Sequence, residues 1–224
     1  MPRKTLIFVD GQNLFYSLKD MGIQEVKVKW DSFFNALLEK DDELIRVYWY
    51  QASKFTSRKL SLDNAKKCVP NAGAKAPAVL EAEAQAILKG AQQWADDQNK
   101  RYESQMHRYD ELSIKFPVIE MVRKGIVRTD PYKKTHIGEK GVDVALAVNM
   151  IKFHDKCDKI ILVSGDLDYA EAIQFIKDNL KKVHIVRLFQ GQPPVNRSVS
   201  RALMALADRV IDVYESEIRK SHLA

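Results

Sequence analysis

Short apolar runs alternate with segments of helical character along most of the chain, and this alternation constrains the fold more than any other sequence feature. The clearest apolar run covers residues 160–163 (IILV), and residues 170–179 behind it have the composition of a helix. An apolar run bounded by turn residues is typical of a strand buried on both faces. Strands alternating with helices at this spacing predict βαβ units, a parallel sheet and right-handed crossovers. We therefore predict an α/β protein.

The other elements follow from the same patterns. Further strands are predicted at residues 5–9, 44–50, 117–128 with a turn at Gly125, 182–189 and 210–213. Further helices are predicted from near Asn13, from Asp31 or Ser32 as cap, over 141–153 and over 198–206. Residues 56–69 read as mainly helical with a loop, and residues 130–140 as a polar, basic loop. In the helix at 141–153, Val144 and Val148 are expected to pack inward.

Residues 78–113 form the longest segment of uniform character. They contain one glycine, no proline, and many Ala, Glu, Gln, Lys and Arg residues, a composition that favours helix. Because the apolar positions are sparse, much of the segment must face water. We expect a long helix or a helical hairpin, inserted at about residues 76–114. It could serve as a solvated arm or oligomerisation surface, which would allow a homo-oligomer, or as an arm that grips a substrate.

Four acidic residues follow or flank these elements where ligands collect. Asp10 follows the first strand, Asp166 and Asp168 follow residues 160–163, and Asp143 lies near the start of an otherwise apolar helix. Ligands of open α/β sheets bind at the carboxyl ends of the strands. If the two strands are neighbours, the carboxylates meet and need raised pKa values or a cation. Mg²⁺ or Mn²⁺ takes such oxygen ligands, and can orient a phosphodiester and help to produce hydroxide.

Each carboxylate also has a purely structural explanation. Asp10 before a glycine could belong to a turn, Asp143 could be favoured by the helix dipole, and Asp168 could cap the next helix. One shared site explains all of them together, and it also explains why a helix built of Val, Ala and Leu carries Asp143. We therefore favour the shared site.

Three ordered motifs resemble the signature blocks of the NYN domain: FVDGQNL at residues 8–14, EKGVDVALAVNM at 139–150 and LVSGDLDY at 162–169. That family belongs to the PIN-like group of metal-dependent ribonucleases. The resemblance implies a PIN-like three-layer α/β/α sandwich with a central, mostly parallel sheet, formed as a single domain over residues 1–224 that carries the long helical insertion. It also implies an Mg²⁺ or Mn²⁺ site and endonuclease chemistry on RNA.

The resemblance also implies roles for individual residues. The acidic metal ligands and catalytic residues would be Asp10, Asp143, Asp166 and Asp168, with Asn13 orienting Asp10 or touching a phosphate. The chain departs from the family at Asn149, where Asp is frequent, and at Leu167, where Ser is common. Asn149 lies six residues beyond Asp143, about 240° around a helix, so it points away from the face of Asp143. Losing its charge need not empty the site.

A net charge of +6 is consistent with a polyanionic partner. The basic residues expected to contact RNA are Lys140, Lys133, Lys134, Arg123 and Arg128. Lys140 and the backbone N–H groups at the following helix start could bind phosphate, whereas Lys133 and Lys134 are equally well explained as a solvated loop. Tyr132 and Tyr169 could stack on unpaired bases or pack in the core.

Several protein classes are disfavoured. No apolar run approaches the roughly 20 residues of a membrane span, and the opening MPRKTLIFVD predicts a strand in place of a signal peptide. Cys68 and Cys157 have neither zinc-site spacing nor a disulfide pattern. We therefore expect a cytoplasmic protein with reduced thiols and no membrane partner.

Three functional classes remain. The leading one is a metal-dependent endoribonuclease that hydrolyses RNA phosphodiester bonds. The alternative is a non-catalytic RNA-binding or assembly module, which Asn149 and the helical insertion suggest. A phosphohydrolase acting through a phospho-aspartate ranks last, because the sequence DGQN lacks a second Asp two residues after Asp10.

Overall fold

A computed structural model gives the structure of residues 1–196 and 199–223, which form two compact units. The first unit comprises Met1–Gln51, Leu112–Arg123 and Val142–Ala224, and the second comprises Ala52–Glu111 and Lys124–Gly141. The single domain expected over residues 1–224 stays a prediction. None of the described helices is long and apolar enough to span a bilayer, and both cysteine thiols are free.

The elements alternate along the chain as expected for an α/β protein. The strands are β1 (Arg3–Asp10), β2 (Asp42–Gln51), β3 (Phe55–Ser57), β4 (Ile119–Arg123), β5 (Ile126–Asp130), β6 (Thr135–Lys140), β7 (Lys159–Val163), β8 (Lys182–Gln190), β9 (Val195–Asn196) and β10 (Arg209–Tyr214). The helices are α1 (Gly11–Asp20), α2 (Trp30–Ala36), α3 (Leu62–Lys66), α4 (Pro77–Lys115), α5 (Val142–Phe153), α6 (Ala170–Asp178), α7 (Arg201–Leu206) and α8 (Glu215–Ser221).

The first unit is built on a seven-stranded sheet of order β10-β8-β7-β1-β2-β4, with β9 antiparallel to β8 and the other pairs parallel. β7 is buried along its whole length, and β1 along its last six residues. The two strands pair directly, with Val9 opposite Val163. Asp10 and Ser164 therefore leave the sheet side by side, which confirms that the first strand and the strand at 160–163 are neighbours.

Helices cover both faces of this sheet. Successive side chains of β2 point to opposite faces, and each face contacts a different helix. Trp49 points to α2, where its ring meets Trp30 at a centroid distance of 4.6 Å. Tyr48 points to the opposite face and stacks on Phe153 of α5 at 5.1 Å. Phe8 of β1 lies 5.2 Å from Tyr48 and shares that face. The predicted three-layer α/β/α arrangement with a mostly parallel sheet is confirmed.

The second unit has its own small sheet and core. β5 pairs in parallel with β3 and antiparallel with β6. The core contains Ala65, Val69 and Ala84, with Leu80 and Tyr132 among the half-buried neighbours. The inserted segment is one continuous helix, α4 of 39 residues, and not a hairpin.

Several local predictions differ from the structure. Residues 130–140, expected as a loop, contain β6, because pairing with β5 overrides the polar composition. Residues 56–69 contain only the short helix α3, and 55–57 form β3. The predicted helix at 198–206 is α7 from Arg201, and its residue 198 lies outside the described residues.

Three helices also differ in detail. The N-cap of α1 is Asp10, not Asn13, and α2 already begins at Trp30, ahead of the expected caps. In α5, the residues buried against the sheet are Val142, Leu146 and Met150. Val144 and Val148 are exposed, contrary to expectation, because they lie on the opposite side of a helix that is apolar almost all round.

Candidate functional site

Asp10 lies where β1 meets α1, and three donors fix its side chain. Two residues beyond Phe8, it points to the same face of the sheet, which α5 covers. Its Oδ1 accepts a hydrogen bond from the backbone N–H of Asn13 at 3.0 Å, which caps α1. Its Oδ2 accepts from the Ser164 hydroxyl at 3.0 Å and the Tyr169 hydroxyl at 3.2 Å. Asp10 is only 5% exposed, so this carboxylate is held rigidly at the floor of the site.

The Tyr169 hydroxyl bridges two carboxyl groups. Its oxygen lies 3.2 Å from Asp10 Oδ2 and 3.1 Å from Asp143 Oδ1. A phenol carries one hydrogen, so it can donate to only one ionised carboxylate at a time. The second contact is favourable only when the other carboxyl group is protonated, or when a cation offsets the repulsion between the oxygen atoms. The geometry therefore favours a bound proton or a bound cation.

Asp166 joins the same network through the loop after β7. Its backbone N–H donates to the Ser164 hydroxyl at 3.3 Å, and its Oδ1 accepts from the backbone N–H of Asp168 at 3.0 Å. Asp166 therefore caps the turn that leads into α6, a role that the sequence had offered for Asp168 as the alternative to metal binding. No side chain caps α6 itself, and Asp166 and Asp168 are both exposed.

A cavity of about 280 Å³ lies over these carboxylates. Its lining residues are Asp10, Gln12, Asn13, Tyr16, Ser17, Asp20, Asp143 and Asp166. Helix α1 supplies one wall, since Asn13, Tyr16 or Ser17, and Asp20 recur every three or four residues and so share a face. Three of the four predicted carboxylates and Asn13 thus line one cavity, and Asp168 does not.

Two carboxyl groups of the cavity, those of Asp10 and Asp143, have raised pKa values. Burial raises the pKa of Asp10, and the charge of Asp143 adds to this effect, while hydrogen bonds from Asn13, Ser164 and Tyr169 oppose it. Burial also raises the pKa of Asp143, helped by the charges of Asp166 and Asp168. Burial between two carboxylates raises the pKa of the Tyr169 hydroxyl, so the phenol stays protonated and remains a donor.

The donor set fits a hydrated Mg²⁺ or Mn²⁺ ion. Within the described ranges, no three His, Cys, Asp or Glu side chains converge closely enough to enclose a metal ion. Mg²⁺ does not need such a cage, because it keeps several waters and is bound through one or two carboxylates together with substrate phosphates. Asp10 and Asp143 offer hard oxygen ligands of that kind, whereas zinc sites are built mainly from Cys and His ligands, which the described cavity lining does not contain.

Asn149 does not belong to the cavity lining. Its Nδ2 donates to the Tyr50 hydroxyl at 2.7 Å, within the helix-covered face of the sheet. The expectation that Asn149 points away from Asp143 agrees with this contact. Asn149 therefore has a structural role, because its amide N–H donates to the Tyr50 hydroxyl and a carboxylate could not donate this hydrogen bond.

The predicted RNA-contacting residues lie at exposed positions. Arg123 ends β4, Arg128 lies in β5, Lys133 and Lys134 form the turn between β5 and β6, and Lys140 ends β6. Lys140 is thus a strand residue, two positions before α5 begins. Of the predicted stacking residues, Tyr169 is fully buried and cannot bind a base.

Comparison with known protein families shows to which family this chain belongs. The model of the NYN domain matches residues 4–217, nearly the whole chain. The chain belongs to the NYN domain family. The match includes Asp10 at the end of β1, Asp143 in α5 and Asp166 in the loop after β7, and it brings the PIN-like nuclease fold of the family. No curated protein sequence matches the chain.

A solved structure supports the same fold for this NYN domain. The chain is similar to the crystal structure of VPA0982, a protein of unknown function from Vibrio parahaemolyticus, with a TM-score of 0.54 and 17% sequence identity. The similarity covers 100% of this chain and 97% of the other. At this identity the likeness concerns the fold alone.

Two residues that organise the NYN site were missed as such from the sequence. Ser164 is the first residue after β7, and its hydroxyl connects Asp166 to Asp10. Tyr169 connects Asp10 to Asp143. The available signal was the polar character of both residues directly beside an apolar strand and helix. Their shared partner Asp10, however, is more than 150 positions away along the chain. Periodicity within a helix or strand cannot predict a contact over that separation.

Proposed function

We propose that this NYN domain is a metal-dependent endoribonuclease that uses the carboxylate cavity. The observation that carries the proposal is the Asp10–Tyr169–Asp143 bridge, in which one hydroxyl contacts two carboxyl groups with raised pKa values. Structural carboxylates of folded proteins are normally paired with cations, but no described Lys, Arg or His of the same unit pairs with these two. A site that retains unpaired negative charge fits a divalent cation as ligand.

The residues of the cavity would have different roles in binding the metal ion and orienting its ligands. Asp10 and Asp143 would hold Mg²⁺ or Mn²⁺, and Asp166 would complete the acidic site at the exposed edge of the cavity. Asp168, outside the lining, would add negative charge nearby. When bound, the metal ion neutralises the phosphate oxygens and lowers the pKa of a water molecule. Ser164 and Tyr169 keep Asp10 and Asp143 oriented, and an ionised carboxylate can accept the proton of the attacking water.

RNA is the substrate class that the family favours, since NYN domains are typically RNA-associated. The Asn13 side chain lies in the cavity wall, where its amide can donate to a phosphate oxygen. The exposed basic residues that would contact the RNA backbone are Lys140, Lys133, Lys134, Arg123 and Arg128. Such contacts give affinity that falls with salt and carries little sequence choice.

Cleavage of end-labelled RNA by purified protein tests the proposal. With Mn²⁺ or Mg²⁺ present, we expect products that carry a 5′-phosphate and a 3′-hydroxyl, and no products in EDTA. Asp10→Asn, Asp143→Asn and Asp166→Asn should each reduce the rate by at least about 100-fold, because removing a preorganised charge costs several kcal/mol of transition-state stabilisation. Asp178→Asn is the matched control, since this exposed carboxylate lies on α6 outside the cavity.

Cleavage that persists unchanged in the three cavity variants would refute the assignment and point to a contaminating nuclease. Metal binding is read independently as an increase in melting temperature on adding Mn²⁺, which the same variants should reduce. The alternative function, a non-catalytic RNA-binding module, predicts salt-dependent RNA binding with no turnover and no Mn²⁺-dependent stabilisation.

A further inference from the structure

Tyr16 is the aromatic side chain in the wall of the carboxylate cavity. Helix α1 buries Leu14 and Leu18 against the sheet and turns Tyr16 outward, so that 49% of the residue is exposed. The same residue lines the cavity together with Asp10 and Asp143. An exposed aromatic face thus lies beside the carboxylates, in a wall that is otherwise polar and acidic.

Two neighbours fix the surroundings of this ring. Phe15 meets it edge-on at a centroid distance of 5.5 Å and an interplanar angle of 73°, which limits its movement. Lys19, three residues further along α1, places its Nζ over the ring at 5.8 Å. A cation–π contact at an exposed position and at this distance is weak, so a stronger ligand can replace it. The ammonium group then remains beside the ring.

An exposed aromatic ring next to a cation is an arrangement with which proteins bind single-stranded nucleic acid. Bases stack on the ring, and the cation follows the phosphate backbone. Only a base that has left its own duplex presents a free face to such a ring. We propose that Tyr16 stacks on an unpaired nucleobase of RNA bound at the carboxylate cavity, with Lys19 contacting the adjacent phosphate. The site thereby selects unpaired over base-paired RNA.

The other candidate rings are engaged or inaccessible. Tyr169 is fully buried, and its hydroxyl is used between the carboxylates. The Tyr132 hydroxyl accepts a hydrogen bond from the backbone N–H of Ser61, and Tyr132 is not part of the cavity lining. Tyr16 combines exposure with a place in the cavity lining, which neither of the predicted stacking residues does.

The inference deepens the proposed function, and its first test needs no catalysis. An oligoribonucleotide containing 2-aminopurine is titrated with the full chain in Ca²⁺, and its integrity is checked on a gel. Stacking on Tyr16 should quench the 2-aminopurine fluorescence. Tyr16→Ala should abolish the quenching and weaken binding about tenfold, the size expected for losing one stacked base, whereas Tyr16→Phe should retain both. Phe175→Ala is the control, an exposed aromatic residue of α6 that lies outside the cavity lining.

A second measurement compares cleavage of two RNAs that place the same sequence in a loop or in a stem. We expect wild-type protein to cleave the loop faster, and Tyr16→Ala to lose this preference. Unchanged binding, quenching and preference in Tyr16→Ala would overturn the inference while the nuclease assignment survives. Tyr16-dependent quenching without cleavage of any RNA would support the inference and remove the nuclease assignment. A wild-type protein that neither binds nor quenches would overturn the inference as well.

Discussion

Burial of Asp10 makes folding pH-dependent in a direction opposite to that of most surface carboxylates. Its pKa in the folded protein is raised above the ordinary value of 3.8, mainly by burial. Between the ordinary and the raised value the folded protein binds more protons than the unfolded chain, so the free energy of unfolding falls as pH rises through that window. Above the window, at neutral pH and without metal, the ionised group destabilises the fold.

We therefore expect Asp10→Asn to raise the melting temperature of the metal-free protein at pH 7. A gain of about 1 kcal/mol would correspond to an increase of about 2–4 °C for a chain of this size. Asparagine can still cap α1 through its amide oxygen, and its amide nitrogen can donate to the hydroxyl oxygens of Ser164 and Tyr169 in place of accepting from them. Thermal unfolding from pH 3 to pH 8 in EDTA measures the effect, and the difference should shrink toward acidic pH. A wild-type protein that is the more stable one at neutral pH would contradict the argument.

The hydroxyl of Tyr169 lowers the pKa values of Asp10 and Asp143, against the larger effect of burial. In Tyr169→Phe both pKa values should rise further, and Mn²⁺ must then compete with more tightly held protons. We expect Mn²⁺ affinity to fall about tenfold at pH 6, with a smaller loss at pH 8, as for other groups that orient metal ligands. Tyr50→Phe is the matched control, because its hydroxyl meets Asn149. An affinity loss that does not vary with pH would show that the hydroxyl acts only through packing.

At the scale of elements, the start of α1 depends on the absence of a side chain at residue 11. A Cβ on Gly11 would lie 2.5 Å from the Tyr50 carbonyl oxygen and 2.6 Å from Trp49 Nε1, so α1 could not approach β2 as it does. Since Asp10 and Asn13 flank this position, a shift of α1 would also move the wall of the cavity. The small residue thus couples the packing of a helix to the geometry of the site.

Gly11→Ala should lower the free energy of unfolding by about 1–3 kcal/mol, the usual cost of overpacking, and reduce Mn²⁺ binding at the same time. Gly90→Ala offers a matched comparison within α4, where a Cβ meets no atom within 4 Å. There the change should stabilise the protein by about 0.5–1 kcal/mol, because alanine favours helix. Urea unfolding of both variants provides the measurement. Equal effects of the two substitutions would show that the close contact at Gly11 is not limiting.

The elements also show how far the sequence could be interpreted. The buried strand at residues 160–163 and the apolar helix over 141–153 were predictable, because burial on both faces leaves a continuous apolar run. Strand β6 was not, because its polar residues are strand-like only through pairing with β5. Val144 was placed wrongly, since a helix that is apolar almost all round does not reveal its buried side by periodicity.

In the candidate site, too, some residues could be predicted from the sequence and others could not. Asp10, Asp143 and Asp166 were predictable because each follows or begins an apolar element at a place where ligands collect. The link through Tyr169 was not predictable, since it depends on how α5 and the loop after β7 meet. The role of Tyr16 was equally hidden, because an exposed aromatic residue on an amphipathic helix resembles ordinary surface.

At the scale of the whole sheet, the two ends of the strands carry different electrostatics. At the amino ends, the fully buried Lys159 bonds to Glu39 at 2.9 Å and to Asp42, while Arg3 lies 3.2 Å from Asp42. A hydrogen bond from Lys159 lowers the pKa of Glu39 to about 2. At the carboxyl ends, the carboxylates of Asp10 and Asp143 share a hydroxyl. The carboxylates at the amino ends of the strands are paired with cations, whereas Asp10 and Asp143 at the carboxyl ends have no described cationic side chain as partner.

Lys159→Ala should therefore be strongly destabilising. It leaves the buried Asp42 with one fewer cation, and breaking a buried pair from one side typically costs about 3–5 kcal/mol. Arg46→Ala is the control, since its pair with Glu120 is exposed and should contribute no more than about 1 kcal/mol. Chemical denaturation at neutral pH measures both. Similar losses for the two variants would mean that the amino-end network is relaxed in solution.

Because the phenol of Tyr169 has one hydrogen for two carboxyl groups, the second contact is made with either a carboxyl proton or a cation, so binding of a cation is coupled to release of a proton. At a pH below the raised pKa of either carboxyl group, a divalent ion that enters the cavity displaces a proton from that group, and the buffer takes up the proton. The heat of Mn²⁺ binding measured by calorimetry should then depend on the ionisation enthalpy of the buffer. The slope of that dependence gives the number of protons released per bound ion. Calorimetry in several buffers therefore measures whether the carboxyl pair holds a proton before the ion binds.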